Sequence, residues 1–399
     1  MIPFSPPRID EAIIEEVAET LRSGWISTGP RTLQLEDKIT EWCGHRSTVC
    51  LNSATAGLKL LLNWMKIGPG DEVIIPAYTY CATANVVVQA GAKPVMVDVN
   101  PEDFNINPQE ILKALTSRTK VIMPVDLGGM PVDYNALLQI ATQAGFSPNN
   151  EIQEKLGRIA IIADAAHSIG ATYKGKKAGT FCELSSFSFH AVKNLTTAEG
   201  GSVNINLPEV FDAEELRKAL KIKSLHGQSK DALTKMQIGG WRYDVIEAGY
   251  KCNMTDINAA IGLVEIARYE QTLKRRKEIF DLYTKILSDY DWAQVPIYET
   301  EKSTSSYHLY LMRIKGISEG QRDEIIRLIS ADQIAVNVHY LPLPMLSYYN
   351  QLGYKMADYP VAYDNYSREI SLPVFYNLTD NQVEQVCAAL IKAVRKTIG

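Results

Sequence analysis

Short apolar runs, each closed by a turn residue or an acid, alternate along the first 250 residues with longer stretches whose apolar positions recur every three or four residues. GPGDEVIIPAYTY opens on a turn at Gly68 to Asp71, runs as a strand through Ile75 and closes at Pro76. GAKPVMVDV gives a strand ending near Asp98, KVIMPVDLGG one ending near Asp126, and RIAIIADAAHS one ending at Asp164. SSFSFH and GSVNIN give two more, and helix-length segments such as ALLQIATQAG lie between. This order predicts an α/β fold, a mainly parallel sheet with helices on both faces.

The texture changes after Gly249. Thr255 or Asp256 caps a long helix through Ile257, Ala260, Ile261 and Val264 that continues past LKRRKEIF, whose charge run reads as a solvated helix face. Strand-like SYHLYLMRI, helical EIIRLI, strand-like IAVNVHY and a final helix from about Asp380 follow. The expected division is a large domain over 1–250 and a smaller C-terminal α+β domain over 251–399.

Composition narrows the function. The chain has 399 residues, is 46% hydrophobic and 22% charged, and carries a net charge of -5, so neither nucleic acid nor an anionic membrane surface is an expected partner. No apolar run reaches the roughly 18 residues that span a bilayer, and MIPFSPPRIDEAIIEE does not read as a signal peptide. The six cysteines are scattered without CxxC spacing and read as reduced thiols of a cytoplasmic protein; no metal site is expected.

Ligands of such sheets collect at the carboxyl ends of the strands. Asp98, Asp126, Asp164, Tyr78, Tyr80 and Lys193 all fall at or just past such ends. An Asp there can equally start a turn or cap the next helix. Lys193, beyond the strand of SFSFHAVKNLTTAEGG, follows Asp164 by a helix or loop and a strand, so the two can meet in one crevice. A buried lysine amine is a good carbonyl nucleophile. A carboxylate facing a pyridine nitrogen keeps that nitrogen protonated, as pyridoxal phosphate chemistry needs. The residues alone leave open a solvent-facing lysine, as most lysines are.

A resemblance covers nearly the whole chain. RSGWISTGP, NSATAGL, GPGDEVIIPAYTY, GAKPVMVDV, ADAAHSIGA, SFSFHAVKNLTTAEGG, GYKCNMTDINAAIGLVE and LPVFYNLTDNQVEQV, in that order, resemble the DegT/DnrJ/EryC1/StrS sugar-nucleotide aminotransferases, fold-type I enzymes that use pyridoxal phosphate. Several stretches are most similar to the branch that aminates a UDP-4-ketopentose. The resemblance implies a seven-stranded-type sheet, and it selects Lys193 as the residue that binds the cofactor covalently and shuttles protons, with Asp164 as the pyridinium partner. His167 lies by the ring and its phenolic oxygen, and Tyr80 stacks on the ring face. Ala54, Thr55 and Ser188 hold the phosphate, from a strand-free turn entering a helix in the case of NSATAG. Asn253 reaches the phosphate of the neighbouring subunit, which implies a homodimer with shared active sites. Ser27 and Thr28, in the loop Trp25 to Pro30, and His308 and His339 border the sugar.

The reaction so implied moves an amino group from L-glutamate, leaving 2-oxoglutarate, to a keto group of a nucleotide-linked ketosugar, at C4 by preference. The competing readings are a ketosugar dehydratase on the same scaffold, whose branch replaces the lysine by histidine, and a non-enzymatic regulatory protein that binds the cofactor. The chain departs from the family pattern in a longer link, AGFSPNNEIQEKLGRI, read as a surface excursion. Ala163 stands where many members carry an acid, and Asp126 to Gly129 replaces an aromatic-Gly stretch.

Overall fold

The computed structural model describes residues 1–229 and 241–399. Thirteen strands lie among them. Seven form the main sheet: β1 (Ser47–Leu51), β2 (Glu72–Pro76), β3 (Lys93–Val97), β4 (Thr119–Ile122), β5 (Ala160–Asp164), β8 (Leu184–Ser188) and β9 (Gly201–Ile205). Two-residue strands β6 (Thr172–Tyr173) and β7 (Lys176–Lys177) pair in a small sheet with β11 (Ser303–Thr304), while β10 (Ala293–Gln294), β12 (Tyr310–Ile314) and β13 (Glu369–Leu372) make a third.

The main sheet runs in the order β1-β9-β8-β5-β4-β2-β3, and all its strands are parallel except β9, which is antiparallel to both neighbours. Strands β2 and β5 are buried along their whole length, because helices cover both faces. Helices α2 (Pro30–Cys43), α3 (Ala54–Trp64) and α4 (Cys81–Gln89) begin this covering, while α1 (Glu11–Arg22) packs on the helix Asp256–Ala267. Strand β1 escaped the hydrophobic pattern because it opens on two polar residues, Ser47 and Thr48. Both are buried and satisfied by Glu214, Thr40 and His45. NSATAG therefore follows a strand directly rather than standing in a strand-free turn.

The C-terminal part departs from expectation in four places. The long helix is two, Asp256–Ala267 and Tyr269–Leu287, bent at Arg268. The bend delivers Tyr269 to the core, where its ring meets Trp42 and its hydroxyl donates to Ile169 O at 2.8 Å. Within LKRRKEIF the charge run is not all solvated: Arg276 is 3% exposed and donates to the carbonyls of Tyr307 and His308. SYHLYLMRI becomes a strand only from Tyr310, because Ser306, His308 and Leu309 spend their N–H groups on the carbonyls of Gly129 and Gly128. IAVNVHY pairs only at single bridges, Ile334 with Ile2 and Asn337 with Ser371, and the His339 N–H leaves the backbone for a carboxylate. The long link is more than a surface excursion: it folds a short helix, Glu151–Leu156, whose Gln153 is fully buried and bonded to Met65 O.

Two hydrophobic clusters flank the main sheet and a third fills the C-terminal part. Met254, Ala259, Ile266 and Tyr269 pack with the second cluster, Ile279, Phe280 and Tyr283 with the third, and Leu309, Leu343 and Tyr366 return to the first.

Candidate active site

The parallel strands β1, β2, β5 and β8 all point their carboxyl ends at one edge of the sheet. The loops leaving them surround a cavity of about 400 Å³. Its wall brings together Ala54, Thr55, Tyr80, Asp164, His167, Ser188, Lys193 and His339, from stretches as far apart in sequence as β1 and the approach to β13. His308 stands behind this wall, its ring 4.4 Å from that of His167, and shares an adjoining cleft with Lys193 and His339.

Asp164 closes β5. Thr83, on α4, donates its hydroxyl to Asp164 Oδ2 at 2.8 Å, and Ala166 N–H donates to Oδ1 at 3.3 Å. Burial raises the Asp164 pKa, opposed by these two donors and by the Lys193 charge. The same burial lowers the Lys193 amine to about 8, with Asp164 pulling the other way. Roughly one-tenth of the amine is thus unprotonated at pH 7 and about half at pH 8, enough to supply a nucleophile or proton acceptor.

His167 is held from both sides. Its Nδ1 accepts the Gly128 N–H at 3.2 Å, which puts the ring hydrogen on Nε2, 3.1 Å from the Tyr340 hydroxyl. Burial pushes its pKa well below the usual value, so the ring is a neutral imidazole. Asp126 to Gly129 thereby gains a role the sequence did not suggest. Gly128 adopts a left-handed φ of 63° to aim its N–H, and Gly129, at 97°, leaves no room for a side chain: a Cβ there would lie 2.1 Å from Ser306 Oγ.

Another part of the cavity wall is an anion cradle. Ser53 caps α3 by accepting from Ala56 N–H, which leaves the N–H groups of Ala54 and Thr55 without an acceptor among the described residues. Thr55 and Ser188 add hydroxyls beside them. A helix N-terminus with free N–H groups suits a phosphate. Gly201 makes the cradle possible: a Cβ on it would lie 2.3 Å from Ala54 N and 2.4 Å from Ser53 C. An anion cradle, an amine at about 8 and a buried carboxylate lining one cavity fit pyridoxal phosphate.

Three other sequence-derived residues lie outside this cavity. Asn253 Nδ2 donates to Thr28 Oγ1 at 2.5 Å, Thr28 donates to Met254 O, and Ser27 O accepts from Asp256 N–H, so they form a cluster of their own. The cavity also has walls the sequence reading missed. Tyr340, Glu199 and His190 line it, and Thr83 holds Asp164 from behind. Glu199 and His190 stood inside the stretch around Lys193 and were open to notice; Thr83 and Tyr340 gave no local signal.

The family model of the DegT/DnrJ/EryC1/StrS aminotransferase family matches residues 7–391. The candidate sugar aminotransferase Spr1654 from Streptococcus pneumoniae, in its PMP-form, superposes with a TM-score of 0.97 at 46% identity over 100% of both chains. Helicobacter pylori PseC, an aminotransferase involved in the biosynthesis of pseudoaminic acid, has a TM-score of 0.86 at 28% identity over 99% of each chain. Spore coat polysaccharide biosynthesis protein SpsC of Bacillus subtilis is 36% identical over 401 residues, covering 100% of this chain and 97% of its own.

Proposed function

Because the chain belongs to the DegT/DnrJ/EryC1/StrS aminotransferase family, we propose that it is a sugar aminotransferase that uses pyridoxal phosphate. Its substrates on this reading are L-glutamate and a nucleotide-linked ketosugar, aminated at C4. The observation that carries the reading is the cavity that Lys193 and Asp164 share, at the carboxyl edge of the sheet, with an anion cradle in the same wall. When bound, the cofactor supplies an electron sink and a carrier for the amino group.

The residues would divide the remaining work. Ala54, Thr55 and Ser188 would hold the phosphate, Tyr80 would pack on the ring, and Asp164 would keep the ring nitrogen protonated. Lys193 would take up and give back a proton at Nζ. His167 would serve as a neutral donor through Nε2. His308 and His339 border the sugar, joined by Ser27 and Thr28 from a neighbouring protomer. Asn253 of one protomer completes the phosphate site of the other in a homodimer, a cytoplasmic one in keeping with six free cysteines. No described helix is long and apolar enough to cross a membrane. Lys193 at the nucleophile position speaks against the dehydratase reading, and the full complement of cavity residues against a purely regulatory one.

The test is to incubate the protein with glutamate and UDP-, GDP- and dTDP-linked ketosugars and to identify aminated products by mass. Formation of 2-oxoglutarate with an amino sugar supports the reading. Lys193→Ala should keep fold and dimer and lose the reaction; an undiminished rate in that variant would refute the assignment.

A further inference from the structure

Glu369, the first residue of β13, has no exposed surface. Its Oε2 accepts the His339 backbone N–H at 3.0 Å, and its Oε1 lies 2.6 Å from Ser371 Oγ. Ser371 Oγ in turn lies 2.8 Å from His339 Nδ1. His339 lines the cavity beside Lys193, and its Nε2 has no protein partner among the described residues.

The order of donors along this chain has two solutions. If Glu369 is ionised, Ser371 donates to it and accepts from Nδ1–H, which leaves Nε2 with a lone pair. If Glu369 is neutral, its hydrogen must sit on Oε1, because Oε2 already accepts the His339 N–H. Glu369 then donates to Ser371, Ser371 donates to Nδ1, and Nε2 carries the ring hydrogen.

We propose that Glu369 and Ser371 are positioning residues that set the tautomer of His339, so that the charge of a buried carboxylate decides whether the cavity meets an imidazole donor or an imidazole acceptor. The surroundings of Glu369 support two accessible states. Arg322 gives its Nη1 hydrogens to the carbonyls of Tyr366 and Glu369, and Arg313, opposite Glu369 on β12, gives its own to Pro101, Glu102 and Asn365. Tyr78 donates to His339 O, and the Tyr340 hydroxyl is near His167. No cation makes an ion pair with the carboxylate among the described residues, and burial raises its pKa to about 8 against the pull of the Ser371 hydroxyl, the His339 N–H and the Arg322 and Arg313 charges. His339 itself, lowered to about 4 by burial, stays neutral throughout. Near neutral pH the relay presents Nε2–H, a donor for a keto or hydroxyl oxygen of the substrate. That consequence rests on the sugar aminotransferase reading; the relay does not.

The experiment is nitrogen NMR of the full chain labelled with [15N]histidine, with the His339 signals assigned against His339→Gln. As pH rises through about 8, the protonated and unprotonated shifts should change places between Nε2 and Nδ1. Glu369→Gln should hold the Nε2–H form at every pH, because its amide oxygen must accept the His339 N–H and its NH2 group then faces Ser371. Ser371→Ala should abolish the exchange and Ser371→Thr restore it, and this pair carries the test should Glu369→Gln fail to fold. A pH-invariant tautomer in the wild type, or an exchange that survives Glu369→Gln or Ser371→Ala, overturns the proposal. An intact exchange in a protein that aminates no sugar would overturn only the functional reading.

Discussion

Thr83 donates its hydroxyl to Asp164 Oδ2 at 2.8 Å, from a helix to the end of a strand 81 residues away. The bond steadies a carboxylate that burial would otherwise neutralise. Thr83→Val keeps the shape and removes the donor. A hydrogen bond to a charged group is worth ~1.5–3 kcal/mol. Cofactor retention after dialysis, followed by absorbance, should fall by roughly one to two orders of magnitude, with Thr83→Ser restoring it. Unchanged retention in Thr83→Val would mean that Asp164 does not need the hydroxyl.

Lys193 should be set apart from surface lysines by its titration. Burial lowers its pKa from 10.5 to about 8. For a cation a lowered pKa means the neutral amine forms earlier as pH rises. At pH 8 about half of it is free base, against well under one part in a hundred of an unperturbed lysine. Reductive methylation of the cofactor-free protein with formaldehyde, mapped by peptide mass, should modify Lys193 roughly two orders of magnitude faster than its titration at the ordinary value would allow, with the rate levelling off above pH 8 rather than above 10.5.

Gly201→Ala should damage the anion cradle more than the rest of the fold. The added Cβ meets only backbone, at Ala54 N, Ser53 C and Phe187 O, so no side chain can swing aside. Overpacking of this kind costs ~1–3 kcal/mol. Pyridoxal phosphate should raise the melting temperature of the wild type and not that of the variant.

Asp256 should matter for stability without touching the cavity. It is fully buried and accepts from Gly29 N–H, Arg31 N–H, Thr32 N–H and Thr32 Oγ1, at 2.7 to 3.0 Å. It serves as the N-terminal cap of α2, which has no side-chain cap of its own. Asp256→Ala strands these donors and should cost ~3 kcal/mol in urea unfolding, with Asp256→Asn less severe.

The homodimer with shared active sites proposed above predicts complementation. Lys193→Ala and Asn253→Ala homodimers should both be impaired. Random mixing of the two leaves one site in half of the dimers free of both changes, so activity should return to roughly a quarter of wild type. No recovery would mean that Asn253 and Lys193 of one and the same protomer serve one site.

By itself the sequence determined what runs on local chemistry. Continuous apolar runs made β2, β3, β4 and β5 legible, because a strand covered on both faces needs no alternation. A lone lysine after the Phe-Ser alternation and an Asp at a strand end pointed to the pair that faces the cavity, and ordered motifs pointed to the phosphate cradle. What the tertiary structure decided is which partner each buried polar group takes. Asp256 reads as the start of one helix, yet Thr255 caps that helix and Asp256 caps α2, 227 residues away at Gly29. Asp98 does not cap the next helix; it accepts from Val361 N–H and Ala362 N–H. Arg276 sits in a charge run and is buried under Tyr307 and His308. The reason is common to all three. A donor or acceptor withdrawn from water must find a counterpart, and the counterpart within reach is set by how distant segments pack, which no window along the chain contains.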